Sequence, residues 1–397
     1  MNRNKVIGAM ISFYNRYYVV FWIVFGLLAM RASYYSFLSA FGSSIDMQWY
    51  PAVQLWASGG GNVDSINPYL AFLQGDRFMS NGPNYMPFMY FLMMPFAFLD
   101  WESAKVAFGL CNIALFIATI ILLYGAGVPR IFLWLMSVLV LLGYTYGNVV
   151  ANAQSAIIVG FGVSLAYRFR HKPWVVVLGL SLVCIKHSFA LPILLGFFLC
   201  GYYKEVIASA LVAFGFVCLF GFKVGISPFE VLRLLSEVNA HHYMREGAFG
   251  GPSDLMSLSQ KLFGTPYSVL SLVIVCVYAS FVALVWRLKP KDNLVIAGSI
   301  VLSLLSLPHL GYDHYMLFIA ICLASVSLGA GKLCYMVVLA LFLWRGQSVF
   351  KPLFDRFNPE LSTHWAMNMG VVFCAFVIVL FLVAMYAMIL EARRRTC

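Results

Sequence analysis

The sequence is short of charge. Only 10% of its 397 residues are Asp, Glu, Lys or Arg and 62% are apolar, where an average soluble domain has about 25% charged and about 45–50% apolar residues. This composition excludes an ordinary globular protein and leaves an integral membrane protein. No long charged or low-complexity segment interrupts the chain, so no separate soluble domain is expected. Several motifs are also absent. There is no Gly-rich phosphate loop, no His-Glu-x-x-His and no Gly-x-Ser-x-Gly, so nucleotide binding has no support. Nine cysteines are present, but none form a Cys-x-x-Cys pair and most lie inside apolar runs. A zinc site or a disulfide framework is therefore not expected. The first apolar run, Phe21 to Phe41, lacks a small-residue cleavage site at its end and reads as a retained span.

What the chain does have is apolar runs. A helix needs about 20 apolar residues to cross the hydrocarbon. On that basis the chain is predicted to be all-α, a single polytopic membrane domain over 1–397 with about twelve transmembrane helices. Their expected limits are 17–39, 101–124, 131–149, 154–168, 173–187, 188–202, 206–223, 267–286, 294–308, 314–328, 333–345 and 367–390.

The net charge of +11 reports topology rather than nucleic-acid binding. With residue 1 cytoplasmic, Arg3, Lys5, Arg16, Arg130, Arg168, Arg170, Lys172, Lys204, Arg287, Lys289, Lys291, Lys332 and Arg393 to Arg395 all fall in inner segments. Most acids fall on the other side, among them Asp46, Asp64, Asp76, Glu230, Glu237, Glu246, Asp254 and Asp313. Both termini are thus expected inside a bacterial cell membrane, with the long connections outside. Those connections are 40–100 and 223–266. Function is expected where chain length has been spent, on the outer face.

In the first outer loop, Ile45, Trp49, Val53 and Trp56 recur at helical spacing, which predicts a helix lying at headgroup depth. Pro51 should kink that helix or mark its beginning. Asp46 stands beside this face, near the helix start. It reads either as a helix N-terminal acid favoured by the dipole, worth under ~1 kcal/mol, or as a catalytic base at the membrane surface. The stretch Met86 to Leu99 is too short to cross and predicts a second interfacial or re-entrant helix, whose methionines and aromatics either line a lipid groove or simply pack.

Ionisable residues at membrane depth are costly and so are functional candidates. Arg31 lies in the outer half of the first span, and Lys186, with His187 beside it, interrupts the run Leu178 to Leu195. Both cations could instead snorkel to the outer interface. His309, Asp313 and His314 cluster at an outer turn that could simply be exposed, and His241, His242 and Arg245 lie in the second outer segment. If these groups meet, a set of cations with few acids suits an anionic substrate, a phosphate above all.

The order of features resembles glycosyltransferase family 87, the polyprenol-phosphate-mannose-dependent mannosyltransferases of the multi-span C-type superfamily. The resemblance rests on Asp46-Met-Gln-Trp-Tyr50 after the first span, the small residues Gly59-Gly60, and Asn67-Pro68-Tyr69. It continues in Tyr85-Met86-Pro87 through Pro95, where Met86 replaces a family proline, and in Asn152-Ala-Gln154-Ser155, which echoes a Gly-Gln-x-Asn segment. Lys186 through Pro192, Gly251-Pro252-Ser253 to Phe263-Gly264, and Tyr312-Asp313-His314-Tyr315 complete it.

The resemblance implies an inverting glycosyltransferase that moves a hexose, mannose in the family, from a polyprenyl-phosphate donor. The acceptor would be a lipid-anchored or surface glycan. Asp46 would be the general base, and Lys186, His314 and Arg31 would hold the donor phosphate. Tyr50, Tyr85, Asp313, His309, His241 and His242 would contact substrate. No outer carboxylate pair for a divalent metal is evident, so no cofactor is expected. The alternative is a transporter or flippase of a lipid-linked or anionic solute. It fits the many spans, but the chain shows no internal repeat and no paired interrupted helices. A non-catalytic assembly subunit is a third reading.

Overall fold

Runs this apolar can satisfy their backbone polar groups away from water only by bonding along their own helix. The computed structural model has helices and no strand among the residues it describes, which are 3–41, 48–57, 66–75, 83–142, 154–244, 267–307, 309 and 311–328 with five positions between 382 and 389. The helices are α1 (Arg3–Phe41), α2 (Trp49–Trp56), α3 (Pro68–Leu73), α4 (Pro87–Leu92), α5 (Met94–Ala97), α6 (Trp101–Gly125), α7 (Arg130–Leu142) and α8 (Ala156–Arg168). They continue as α9 (Pro173–Val183), α10 (His187–Leu199), α11 (Tyr203–Val224), α12 (Pro228–Met244), α13 (Tyr267–Leu288), α14 (Asp292–Ser306) and α15 (Tyr315–Ser325), with a 3-10 turn at Gly311–His314. Each expected span from 17 to 328 carries a helix; those at 333–345 and 367–390 fall almost wholly outside the described residues.

Among the described residues, four segments are long and apolar enough to cross a membrane: Arg16–Tyr34, Trp101–Gly125, Tyr203–Val224 and Ser271–Leu288. Their outward faces are apolar, with Ile23, Leu27, Ile121, Leu211, Leu272 and Trp286 all exposed. A protein surface of this kind suits contact with lipid. The helices between them are shorter. α14 has 15 residues and is buried at every position from Asn293 to Ser306, and α15 is buried from Tyr315 to Ser325. At 1.5 Å per residue α14 covers only about 22 Å, so these two form the interior of the bundle and the long helices face outward.

Several hydroxyls in the apolar helices are satisfied within their own turn. Thr119 donates to Leu115 O at 2.7 Å, and Ser164 to Gly160 O and Ser181 to Val177 O at 2.8 Å. Each removes a polar group that hydrocarbon would penalise.

Two helical hairpins set the site. In the first, α9 rises and α10 returns around Cys184, Ile185 and Lys186; in the second, α14 and α15 turn through Gly311–His314. Their open ends share one side of the molecule. Tyr202, after α10, donates to Asp292 Oδ2 at 3.2 Å, and Asn293 Nδ2 reaches Leu323 O at 2.9 Å near the end of α15. Arg168 and Arg170 lie at the same side, since Arg170 stacks on Tyr167, which is within electrostatic reach of Asp292, and a Cβ on Gly125 would meet Arg168 Nε at 2.5 Å. The closed ends meet on the opposite side, where Lys186 contacts Asp313.

Helices α8 and α9 touch backbone to backbone. A Cβ on Gly162 would lie 2.5 Å from Gly179 O, and one on Gly179 would lie 2.5 Å from Gly162 O. Small residues allow such contacts between apolar helices. Gly179→Ala is expected to destabilise the protein by about 1–3 kcal/mol through overpacking, seen as a lower thermal midpoint in detergent. Gly215→Ala on α11, where nothing lies within 4 Å of the added carbon, is the control and should not lower it. An unchanged midpoint in the first variant would show that these backbones do not touch.

The two long connections differ in detail from the sequence expectation. α2 begins at Trp49 with Pro51 in its first turn, where the missing N–H costs nothing. It does not lie alone on a membrane surface but packs on α3, α4 and α5. Trp49 Nε1 donates to Phe96 O and Trp56 Nε1 to Tyr90 O, each at 3.0 Å. The indoles thus bond to protein carbonyls rather than to headgroups. The Met86–Leu99 stretch forms two short helices, α4 and α5, broken at Met93. In the second long connection α12 packs on α11 and on α3, burying Val231, Leu234, Leu235 and Val238 against Tyr69 and Phe72. The two long connections therefore meet.

Candidate active site

Lys186 sits at the tip of the α9–α10 hairpin in extended conformation (φ −114°, ψ 103°), just before the first residue of α10. Its ammonium reaches both oxygens of Asp313, at 2.6 and 2.7 Å. Such short bonds are those of a charge-assisted pair. The Lys186 side chain is 12% exposed and that of Asp313 1%. Lys186 does not snorkel to the surface, and the Asp313–His314 turn is not an exposed one, because Asp313 and His314 are both buried. A carboxylate with this little water needs its cation.

Further partners hold Asp313 in place. His309 Nδ1 lies 3.1 Å from Asp313 Oδ2, and His309 Nε2 lies 3.2 Å from Ser303 Oγ. Ser303 Oγ also donates to Ser188 O at 2.7 Å. That carbonyl is available because Pro192, four residues on in α10, has no N–H to offer it. A proline that would otherwise only weaken α10 thus anchors a hydroxyl of α14 beside His309. His309 also packs on the Phe189 ring with centroids 4.3 Å apart.

The first long connection reaches the same point. Met86 N donates to Ile185 O at 3.1 Å, and the Lys186 ammonium lies 5.8 Å from the centre of the Tyr85 ring. Tyr85 OH donates to Gln154 Oε1 at 2.7 Å. From Tyr85 a line of tyrosines runs back toward the first span. Tyr69 OH donates to Tyr85 O at 2.8 Å, the Tyr69 and Tyr90 rings are 5.9 Å apart, and Tyr90 OH donates to Gln48 Oε1 at 3.2 Å. Burial pushes the Tyr69 hydroxyl pKa up, outweighing a bond from Tyr90 that acts the other way, so this group stays a neutral donor. Gln48 is itself buried and left-handed (φ 59°, ψ 21°). A non-glycine residue is held in that region only by its surroundings, and such positions gather at functional sites.

Of the residues that sequence reasoning selected, Lys186, Asp313, His309 and Tyr85 come together, and His314 lies within electrostatic reach of His309 and Asp313. Tyr50 is half-buried with Leu55 and Tyr90 at the start of α2. Arg31 is exposed on α1, which packs on α6 and α7. His241 and His242 belong to the last turns of α12. Asp46 lies outside the described residues, two positions before Gln48.

The site also contains residues that the sequence reading missed. Ser303 carries no signal of its own, because a serine in an apolar helix normally bonds its own turn. Gln48 is a polar residue whose left-handed backbone leaves no mark in the sequence. His187 was noticed only as a neighbour of Lys186; its Nδ1 is buried and has no hydrogen-bond partner among the described residues. An orphaned nitrogen of this kind is a position a substrate group could satisfy.

No curated protein matches the chain. The sequence pattern of glycosyltransferase family 87 matches residues 84–308. That span is more than half the chain and includes Tyr85, Gln154, Lys186, His187 and Ser303. The chain therefore belongs to glycosyltransferase family 87, which indicates an enzyme that moves a sugar from a donor to an acceptor.

Proposed function

We propose that this protein transfers a hexose, most simply mannose, from a polyprenyl-phosphate donor to a lipid-linked or surface glycan on the outer face of a bacterial cell membrane. The family match carries this reading. The closed ends of the two hairpins support it, since they bring a largely buried cation against the first long connection. A soluble nucleotide-sugar is not available outside a cell membrane, whereas a lipid-linked donor is.

In this reading Asp46 takes the proton of an acceptor hydroxyl. The acceptor oxygen forms a bond to the anomeric carbon as the bond from that carbon to the phosphate oxygen breaks. Polyprenyl phosphate leaves with the electron pair, and attack from the opposite face inverts the sugar. Charge grows on the phosphate, so groups fixed beside it act more strongly on the transition state than on the bound donor. Lys186, His314 and Arg31 are the phosphate groups of this reading, and His187 Nδ1 joins them as an unsatisfied partner. Asp313 keeps Lys186 in place and at the same time reduces the charge it presents. Tyr50, Tyr85, His309, His241 and His242 would shape the surrounding pocket.

Purified protein in nanodiscs, given a panel of radiolabelled polyprenyl-phosphate sugars with a lipid extract as acceptor source, is expected to transfer one hexose. Transfer from a nucleotide-sugar instead, or from no donor beside an acceptor proven competent, would sink the proposal. The second outcome would favour transport of a lipid-linked solute.

A further inference from the structure

The end of the molecule opposite Lys186 holds a cavity of about 730 Å³ between α1, α6 and α7. Its walls are apolar: Trp22 and Phe25 from α1, Ile117, Ile120 and Ile121 from α6, and Leu133 from α7. Its size falls within the roughly 300–1,000 Å³ of small-molecule sites. It opens outward, since Tyr18, Ile117, Ile121 and Tyr124 are all exposed on the face these helices present to lipid. One position breaks the apolar lining. Arg130 lies at its rim with the guanidinium 5.1 Å from the Tyr124 ring, and no described carboxylate pairs with it. A second guanidinium is close by, because Arg168 packs on Gly125, the residue after Tyr124.

We infer that this groove binds an anionic phospholipid, with one acyl chain against Phe25, Ile117 and Ile121 and the phosphate at Arg130. Three observations select that occupant. First, the groove is apolar along its length and cationic at one end, which matches a chain bearing a negatively charged head. Second, the end concerned is the basic one, where Arg168 ends α8 and Arg170 and Lys172 follow it. Anionic lipids gather at such faces, and each basic residue near the surface adds attraction. Third, α1 leaves helical geometry at Tyr17 (φ −118°, ψ 20°), one residue before Tyr18 of the groove. The 39-residue helix is too long for a single crossing, and the kink parts its N-terminal stretch, which carries Arg3, Lys5 and Arg16, from the span. That stretch has the composition of a segment lying on an anionic surface.

The site is distinct from the sugar-transfer cluster, so it does not depend on the catalytic proposal. The test is native mass spectrometry of delipidated protein titrated with phosphatidylglycerol and phosphatidylcholine of identical chains, with no sugar donor present. Wild type is expected to retain phosphatidylglycerol in preference. Arg130→Gln should weaken that retention about fivefold and abolish the preference. Ile121→Trp, which fills the groove from an exposed position, should weaken binding of both lipids. Arg287→Gln, an exposed cation at the end of α13, should change neither. Undiminished phosphatidylglycerol binding by Arg130→Gln would overturn the inference, as would equal retention of the two lipids by wild type. Displacement of phosphatidylglycerol by a lower concentration of polyprenyl phosphate would also overturn it, as would a dimer that excludes lipid and is broken by Ile121→Trp.

Discussion

Asp313→Ala is expected to lower stability by about 3–5 kcal/mol, because it leaves the Lys186 ammonium buried with its carboxylate gone. Both groups of the pair are nearly sequestered, with side-chain exposures of 12% and 1%, so water cannot take over the lost contacts. The same change frees His309 Nδ1, which faces Asp313 Oδ2 at 3.1 Å, and so loosens the tie through Ser303 to α10. The double variant Lys186→Met with Asp313→Leu is expected to recover most of the loss, since replacing a whole buried pair by apolar groups is often neutral or stabilising. It should not recover sugar transfer, because the cation is still missing. Thermal unfolding of the three proteins in one detergent, with transfer measured beside it, separates the two roles. If Asp313→Ala melts with wild type, the pair does not hold the hairpin tips together. If the double variant transfers sugar at the wild-type rate, Lys186 plays no part in catalysis.

Sequence reading located the helices better than it located their partners, and the reason is physical. A helix from Trp101 to Gly125 is visible because every residue of a crossing helix must tolerate hydrocarbon, which constrains composition over one continuous stretch. The break between α9 and α10 showed in the same way, as two polar residues, Lys186 and His187, in an apolar run. The contact from Lys186 to Asp313 spans 127 residues of sequence, and no local periodicity encodes it. Snorkelling and burial in an ion pair require the same lysine in the same run, so the sequence could not separate them. The tryptophans of α2 pose a similar problem. A ring that meets Phe96 and one that meets lipid both read as apolar at helical spacing, and only the bond from Trp49 Nε1 to the Phe96 carbonyl tells them apart. The kink at Tyr17 had no signal at all, with neither proline nor glycine at that position.

In the proposed mechanism Asp46 is the general base, and the tyrosine line from Lys186 ends two residues beyond it in sequence, at Gln48. Gln48 is two residues beyond Asp46, is buried, and is held in the left-handed region with its amide oxygen accepting from Tyr90. Asp46→Asn keeps the size and hydrogen-bonding reach of the side chain but cannot accept a proton at neutral pH. If Asp46 is the base, kcat is expected to fall about 10²–10⁴-fold, with donor KM little changed, since the loss is confined to the transition state. Asp46→Glu should retain part of the activity by keeping the carboxylate at a shifted position. Arg233→Gln is the matched control. Arg233 pairs with Glu230 and Glu237 on the exposed face of α12, and surface pairs of this kind are worth little, so transfer and melting should both stay at wild-type values. A fall in kcat of only a few fold in a folded Asp46→Asn protein would remove Asp46 as the base while leaving the family assignment untouched. A loss of donor binding in that variant would instead make the carboxylate a contact to the sugar, and the proton would have to leave by another group.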